Sequence, residues 1–470
     1  MKKIVVIPLG RVEDYINTGK TYQYFEKAFN PDDYFDEVYC LSYGGKECKT
    51  GKVQYINARP ADFGKIIRRI KPDIVRAYAG CEPCDWAVAN RVQDIPIVVS
   101  VHDVNPDLLN RSLKYADYII CKSEIVKEDV KKYVDVDEKR IFVLPNRVDT
   151  NVFKKRDSKE FEKLNEVYGN GKHILHVGRK VEQKNLETLI QALQYLPLEY
   201  KAIFVGPGNA DFYNQLAREC NVSERCFFID HVSREEELPI YYSWCDCMCT
   251  PSRWEGFGFV FIEAAACECP IVTSNIAPMN EYLTNGIDSI LVDEYENPEI
   301  LAKCIIQACD QNEEIQRMKN NARKVGLRFD RAAVDKEESE LYKKLILMGA
   351  DNTQFYRLEG EREKIKKKII IFGAGKVGKS LLNCVEREKI AYFVDNDSQK
   401  VGQKIDGIEI IGYADLLKIH SEYNVVVTPV NRREIVKKLL ADGIEYMEVK
   451  WYLLLKEQSD KNIDTNTGKE

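Results

Sequence analysis

Two rhythms of apolar and polar residues alternate along this chain. Short, nearly continuous runs rich in isoleucine and valine give way to longer stretches whose apolar residues recur at helical spacing. The first rhythm predicts buried strands over 3–7, 74–78, 97–101, 118–121, 173–177, 202–205 and 271–273. The second predicts amphipathic helices between them, such as 186–196. This alternation is the pattern of α/β domains built on parallel sheets.

Two joints interrupt the pattern. A charged stretch, 154–163, follows Leu144-Pro145-Asn146-Arg147-Val148-Asp149 and precedes a new strand. A second run, 357–368, has nine charged residues in twelve and reads as a linker or a fully solvated helix. Beyond it, 369–372 begins another strand, and the polar residues from Glu457 onward read as a disordered tail. The expected organisation is one α/β domain over 1–150, a second over 151–347 and a charged linker over 348–366. A small Rossmann-like unit over 367–456 and a tail over 457–470 follow.

Composition narrows the class. Apolar residues make up 44% of the 470, too many for a disordered chain. The net charge of −6 argues against a nucleic-acid partner. The 15 cysteines lie mostly in apolar runs without a disulfide framework. No signal-peptide core opens the chain, and no apolar stretch approaches the ~18 residues of a membrane span. A soluble, reduced, cytoplasmic protein is expected.

The sharpest chemical signal lies in the second domain. The strand over 173–177 runs into Gly178-Arg179, with Lys184 on the same loop. Glycine lets a ligand approach, and cations at a helix start oppose the helix dipole unless an anion lies between them. That favours a phosphate site. A cysteine-rich strand, 245–250, leads into a second loop, Glu255-Gly256-Phe257-Gly258-Phe259, which opens an apolar helix carrying Glu263. Free N–H groups at such a helix start can cradle phosphate oxygens. Eight helical residues span about 12 Å, beyond the ~5–9.5 Å of a glycosidase acid–base pair. Glu255 and Glu263 therefore suit opposite ends of a long ligand.

Together with the Gly206-Pro207-Gly208 turn, these loops resemble the retaining glycosyltransferases of family 4, with the GT-B fold, over about residues 1–347. The resemblance implies two Rossmann-like α/β domains facing a cleft, plus the third small Rossmann-like domain. It implies that Arg179 and Lys184 hold a donor diphosphate and that Glu263 binds ribose hydroxyls. Glu255, with Gly178, Gly256 and the N–H groups of Phe257, Gly258 and Phe259, would hold the donor sugar. His102, at the end of the strand over 97–101, would face sugar and phosphate across the cleft. Gly10 stands where the family usually has a glycine pair, Arg147 where it has glycine, and Ala277-Pro278-Met279-Asn280-Glu281 where a glycine pair often precedes a glutamate. No metal is implied, and no acidic cluster offers a site for one.

In the third unit, the strand over 369–372 is followed by Gly373, Gly375 and Gly378, a helix expected over 379–388, and a strand ending in Asp395. That context is a dinucleotide-binding pattern, with Asp395 on a ribose. It resembles small Rossmann-like domains attached to bacterial sugar-modifying enzymes, and suggests a bound nucleotide, nucleotide-sugar or NAD without chemistry of its own. Cys81 and Cys84 lack a second pair and read as structural. Cys245, Cys247 and Cys249 alternate and are expected on one buried face. The basic segment 65–71 reads first as a solvated helix face, with contact to anionic lipid as the alternative.

The expectation is a metal-independent glycosyltransferase of the hexosyltransferase type. It would move a sugar from a UDP- or GDP-sugar to a hydroxyl on a glycan or lipid-linked acceptor, with retention, in bacterial surface polysaccharide synthesis, either free or peripheral at the inner face of the plasma membrane. The alternatives are an NAD-dependent sugar oxidoreductase or epimerase, and a non-catalytic nucleotide-sugar binding protein.

Overall fold

The computed structural model describes residues 1–17, 20–105, 108–429 and 432–467, organised by three sheets. The first contains β1 (Lys3–Ile7), β2 (Glu37–Ser42), β3 (Cys48–Thr50), β4 (Val53–Asn57), β5 (Ile74–Tyr78), β6 (Ile97–Val101), β7 (Tyr118–Cys121) and β8 (Ile141–Val143). Its order is β3-β4-β2-β1-β5-β6-β7-β8, parallel except where β3 meets β4. The second contains β9 (Lys172–Val177), β10 (Tyr200–Val205), β11 (Cys226–Ile229), β12 (Cys247–Thr250), β13 (Ile271–Ser274) and β14 (Ile290–Val292), all parallel, in the order β11-β10-β9-β12-β13-β14. The third contains β15 (Ile369–Phe372), β16 (Ile390–Val394), β17 (Lys404–Ile405), β18 (Ile408–Ile411), β19 (Asn424–Val427) and β20 (Tyr446–Glu448), in the order β17-β18-β16-β15-β19-β20. The predicted strands are all present. They read as continuous apolar runs because helices cover both faces: Ile4, Val5, Val6 and Ile7 are wholly buried.

The first two sheets turn the C-terminal ends of their strands toward a shared seam. Two crossings join them there. Val148 N–H donates to the Phe329 carbonyl (2.9 Å), and Arg331 N–H donates to the Val148 carbonyl (2.8 Å). The helix Arg331–Met348 therefore returns to the first sheet, where Val334, Tyr342 and Leu345 share a core with Ile4, Val6 and Phe35. The 151–347 boundary is corrected accordingly: this helix packs with the first domain.

The charged run forms the helix Asn352–Lys364 and is neither a free linker nor fully solvated. Leu358 is wholly buried and Ile365 nearly so, in the same core as Leu113 and Ala116 of the first domain. Their seven-residue spacing gives the helix one apolar stripe, while Arg362 with Glu359 and Lys364 with Glu361 pair along its sides. The expected disordered tail is likewise corrected. A helix spans Val449–Thr467, with Trp451, Tyr452 and Leu455 buried in that core; residues 468–470 lie outside the described residues. The helix expected over 379–388 is instead a short helix, Lys376–Ser380, followed by a 3₁₀ turn, Leu381–Asn383.

Candidate active site

Strand ends from both sheets build the site. Beyond β9, a 3₁₀ turn over Glu182–Lys184 brings the Lys184 stem over Gly178, where an added Cβ would sit 3.2 Å from three lysine carbons. Lys184 Nζ donates to Glu255 Oε1, which also accepts from Ser252 Oγ (2.8 Å). Both members of this pair are buried. Arg179 is exposed, and its Nη2 donates to Gln183 Oε1 (3.2 Å). Gln183 Nε2 donates in turn to the Trp254 carbonyl (2.9 Å), locking the first loop to the second. Glu263 is buried in the helix Phe259–Ala266 and accepts from Arg234 Nε (2.9 Å) and from the Tyr242 hydroxyl (3.2 Å). The two glutamates thus have separate cationic partners, on opposite sides of one helix N-terminus.

The loop between them depends on glycine twice. Gly258 adopts φ +84°, left-handed backbone that strains other residues. At Gly256 an added Cβ would lie 1.9 Å from the His102 carbonyl oxygen. The two domains meet at this point. Ser123 Oγ donates to the Gly256 carbonyl (2.6 Å), and Glu281 accepts the Glu124 and Ile125 amides (2.9 Å each). Glu281 thereby caps the first-domain helix Glu124–Tyr133 from the second domain. Phe257 stacks on Tyr282 (5.0 Å), whereas Phe259 is exposed, with the Arg234 guanidinium 5.6 Å from its ring centre.

His102 opens onto the cleft from the end of β6. Its Nε2 lies 3.0 Å from Ser100 Oγ, which donates to the Ala77 carbonyl (3.3 Å). Desolvation by the enclosing walls, then the Lys122 and Arg76 cations, hold the ring well below the usual histidine range. The ring, though exposed toward the cleft, is therefore favoured in its neutral form. The cleft itself has a volume of about 300 Å³ and runs from His102 and Phe259 to Tyr15 and Tyr24. Gly10 is not brought to it: it is exposed at φ +76°, an added Cβ there would meet no atom within 4 Å, and Pro8 and Leu9 line the cleft instead.

Several cleft residues escape the sequence. Arg76 is wholly buried and donates to Glu338 and the Tyr342 hydroxyl; Arg147 reaches Glu338 and Asp335. Burial alone would raise the Glu338 carboxyl, but Arg147, Arg76 and Lys122 hold it well below the carboxylate range. The Arg147 departure was a visible signal. Arg234 and Glu338 carry none, because each lies among other charged residues, whereas Lys122 directly follows the apolar run over 118–121. Among the described residues no three His, Cys, Asp or Glu side chains converge as on a metal ion. No described helix is long and apolar enough to cross a membrane. The 15 cysteines are free thiols. Cys247 and Cys249 share one core, but Cys245 lies before β12 and packs in the other, beside Cys269.

In the third unit, Gly378 packs against the Gly373 carbonyl and Gly375 precedes the five-residue helix. Asp395 Oδ2 accepts the Ala374 amide (3.0 Å) and Lys400 Nζ (3.1 Å). Asp395, expected on a ribose, here ties its own glycine loop, and NAD in this unit is not supported.

Residues 157–325 match the family model described as "Glycosyl transferases group 1", and residues 34–152 match "Glycosyltransferase Family 4". Residues 365–450 match "C2185-like, N-terminal". The chain is 24% identical over 266 residues to an uncharacterized glycosyltransferase of Methanocaldococcus jannaschii, covering 54% of this chain and 69% of that protein. It is 28% identical over 229 residues to the O-antigen chain mannosyltransferase RfbU of Salmonella typhimurium, covering 45% and 61%. The chain thus spans roughly two thirds of the length of these curated relatives. Among solved structures, Anabaena HepE in complex with UDP superimposes with a TM-score of 0.61 at 18% identity, over 73% of this chain and 100% of that one. That likeness shows the two-domain GT-B fold.

Proposed function

Since this chain belongs to the family 4, group 1 glycosyltransferases and carries an extra C-terminal C2185-like domain, we propose that it transfers a hexose from a UDP- or GDP-sugar to an acceptor hydroxyl, with retention and without a metal. One observation carries this reading: Lys184 and Glu255 are paired at the helix N-terminus that touches His102 across the domain seam. In the absence of ligand, the two charges satisfy one another. A donor diphosphate would take Lys184, with the exposed Arg179 turning from Gln183 to join it, and would release Glu255 to the sugar hydroxyls. Glu263 would exchange part of its bond to Arg234 for the ribose. Fixed cations and uncapped helix amides stabilise charge developing on a departing nucleotide diphosphate. Neutral His102 would accept a hydrogen bond from the donor sugar.

The acceptor is proposed to be a growing surface glycan or its lipid-linked precursor, as the name of the O-antigen relative suggests. The exposed Lys65, Arg68 and Arg69 on the helix Phe63–Ile70 would favour action at the cytoplasmic face of a membrane. The third unit is assigned no chemistry. The test is nucleotide release from UDP- and GDP-sugars by wild type and Lys184→Ala. We expect the variant to lose about 10²–10³-fold in kcat while keeping its near-UV circular dichroism. Undiminished release by a folded variant would refute the assignment.

A further inference from the structure

We propose that the first-domain wall of the cleft binds an anionic group, a phosphate or a carboxylate, carried by the acceptor, with Lys122 as its central contact. This rests on the transferase reading above and adds the chemical class of the second substrate. Six cations line the cleft, Lys20, Arg76, Lys122, Arg147, Arg234 and Arg331, and among the described lining residues there is no carboxylate. Arg76, Arg147 and Arg234 have acidic partners behind the wall, in Glu338, Asp335 and Glu263. Lys122 has none. It is 3% exposed, yet its ammonium makes neither a hydrogen bond nor an ion pair among the described residues.

An ammonium buried without a partner is unfavourable, and a fold that only needed to fill the position would do so better with an apolar side chain. An anion seated in the cleft supplies the missing partner. Lys122 follows β7 directly and precedes Ser123, whose hydroxyl fixes the seam at Gly256, so its place relative to His102 is set by the sheet. Lys20 stands at the far wall, its Nζ bonded to the Tyr24 hydroxyl (2.9 Å) and 4.1 Å from that ring's centre. Tyr15, Tyr24 and Phe25 give the cleft aromatic faces against which a sugar ring can lie. The donor's phosphates are assigned to Arg179 and Lys184, on second-domain loops outside this lining. The cationic surplus on the first-domain side therefore serves the other substrate.

Calorimetry on the full chain tests this with inorganic phosphate, glucose 6-phosphate, glucuronate and glucose, each with and without saturating UDP. The anionic probes should bind and glucose should not, UDP should fail to displace them, and the stronger of glucose 6-phosphate and glucuronate identifies the preferred anion. Lys122→Met should weaken anion binding at least tenfold, Lys20→Ala severalfold, and Lys163→Met, exposed on the second-domain helix Glu162–Tyr168, not at all. Lys20→Ala removes a partly exposed side chain and keeps the test open if Lys122→Met does not fold. The proposal is overturned if no anion binds, if both cleft variants bind as wild type, or if UDP fully displaces the anions, which would give these cations to the donor. None of these readouts uses turnover, so failure here leaves the Lys184→Ala test of the transferase reading standing on its own.

Discussion

Glu338 and Asp85 are both buried against the first domain, on opposite faces of its sheet, and they are pushed in opposite directions. Glu338 lies between two guanidinium groups and stays ionised. Asp85 has no cation in contact: one oxygen accepts from Asn110 Nδ2 (2.7 Å), and the other has no hydrogen-bond partner among the described residues. Burial, and then the neighbouring Glu448, push its carboxyl up to about 8, against the smaller pull of Ser112, Asn110 and Arg432. In the unfolded chain this group ionises near its ordinary value of about 3.9. Folding therefore takes up a proton at neutral pH, and the stability Asp85 contributes is present in acid and is lost as pH rises toward 8. Asp85→Asn should flatten the fall in urea midpoint between pH 5 and pH 8, and should be the more stable protein at pH 8. Parallel curves for the two proteins would show that Asp85 is ionised in the fold.

At the scale of elements, the strands were legible because both sheet faces are covered and each strand reads as one apolar run. The functional loops were legible because glycine, arginine, lysine and glutamate fall directly after such runs, at β9 and after β12. What stayed hidden depends on partners distant in sequence. Nothing local marks Glu338 as the acid for Arg76, 262 residues away, or sends the Arg331–Met348 helix back to the first sheet. Nor does the linker run disclose that Leu358 is its buried residue. At Asp395 the spacing shows only the element: the carboxylate stands at the strand end as read, and the fold adds that it lies on its own glycine loop. Gly256 is where sequence and packing agree most closely. Gly256→Ala should press the loop against the His102 backbone and open the seam about the paired crossings at 148 and 330. A displacement of about 1 Å can cost 10²-fold, so kcat/KM for nucleotide release should fall by about that factor. The melting temperature should change by only a few degrees, because the hinge relieves the clash. Wild-type kcat/KM would show that the seam need not be closed for transfer.

At the scale of the whole molecule, two facing domains make one site and the C2185-like unit is built onto the first of them. It shares a continuous core with that domain through Leu358, Trp451 and Leu455, and Glu448 accepts the Arg111 amide (3.1 Å) across the joint. Asp117 anchors the connecting segment as well, accepting the Asp351 amide (2.7 Å) beside its buried pair with Arg91. The third unit is therefore docked on the first domain, away from the loops that follow β9 and β12. The proposed transfer requires nucleotide to bind on those loops. A crystal structure of the full chain with UDP, and another with GDP, tests this most directly. A diphosphate within hydrogen-bonding distance of Lys184 and ribose hydroxyls on Glu263 are expected. Nucleotide held at the Gly373–Gly378 loop, with Lys184 still on Glu255 and the cleft empty, would contradict it.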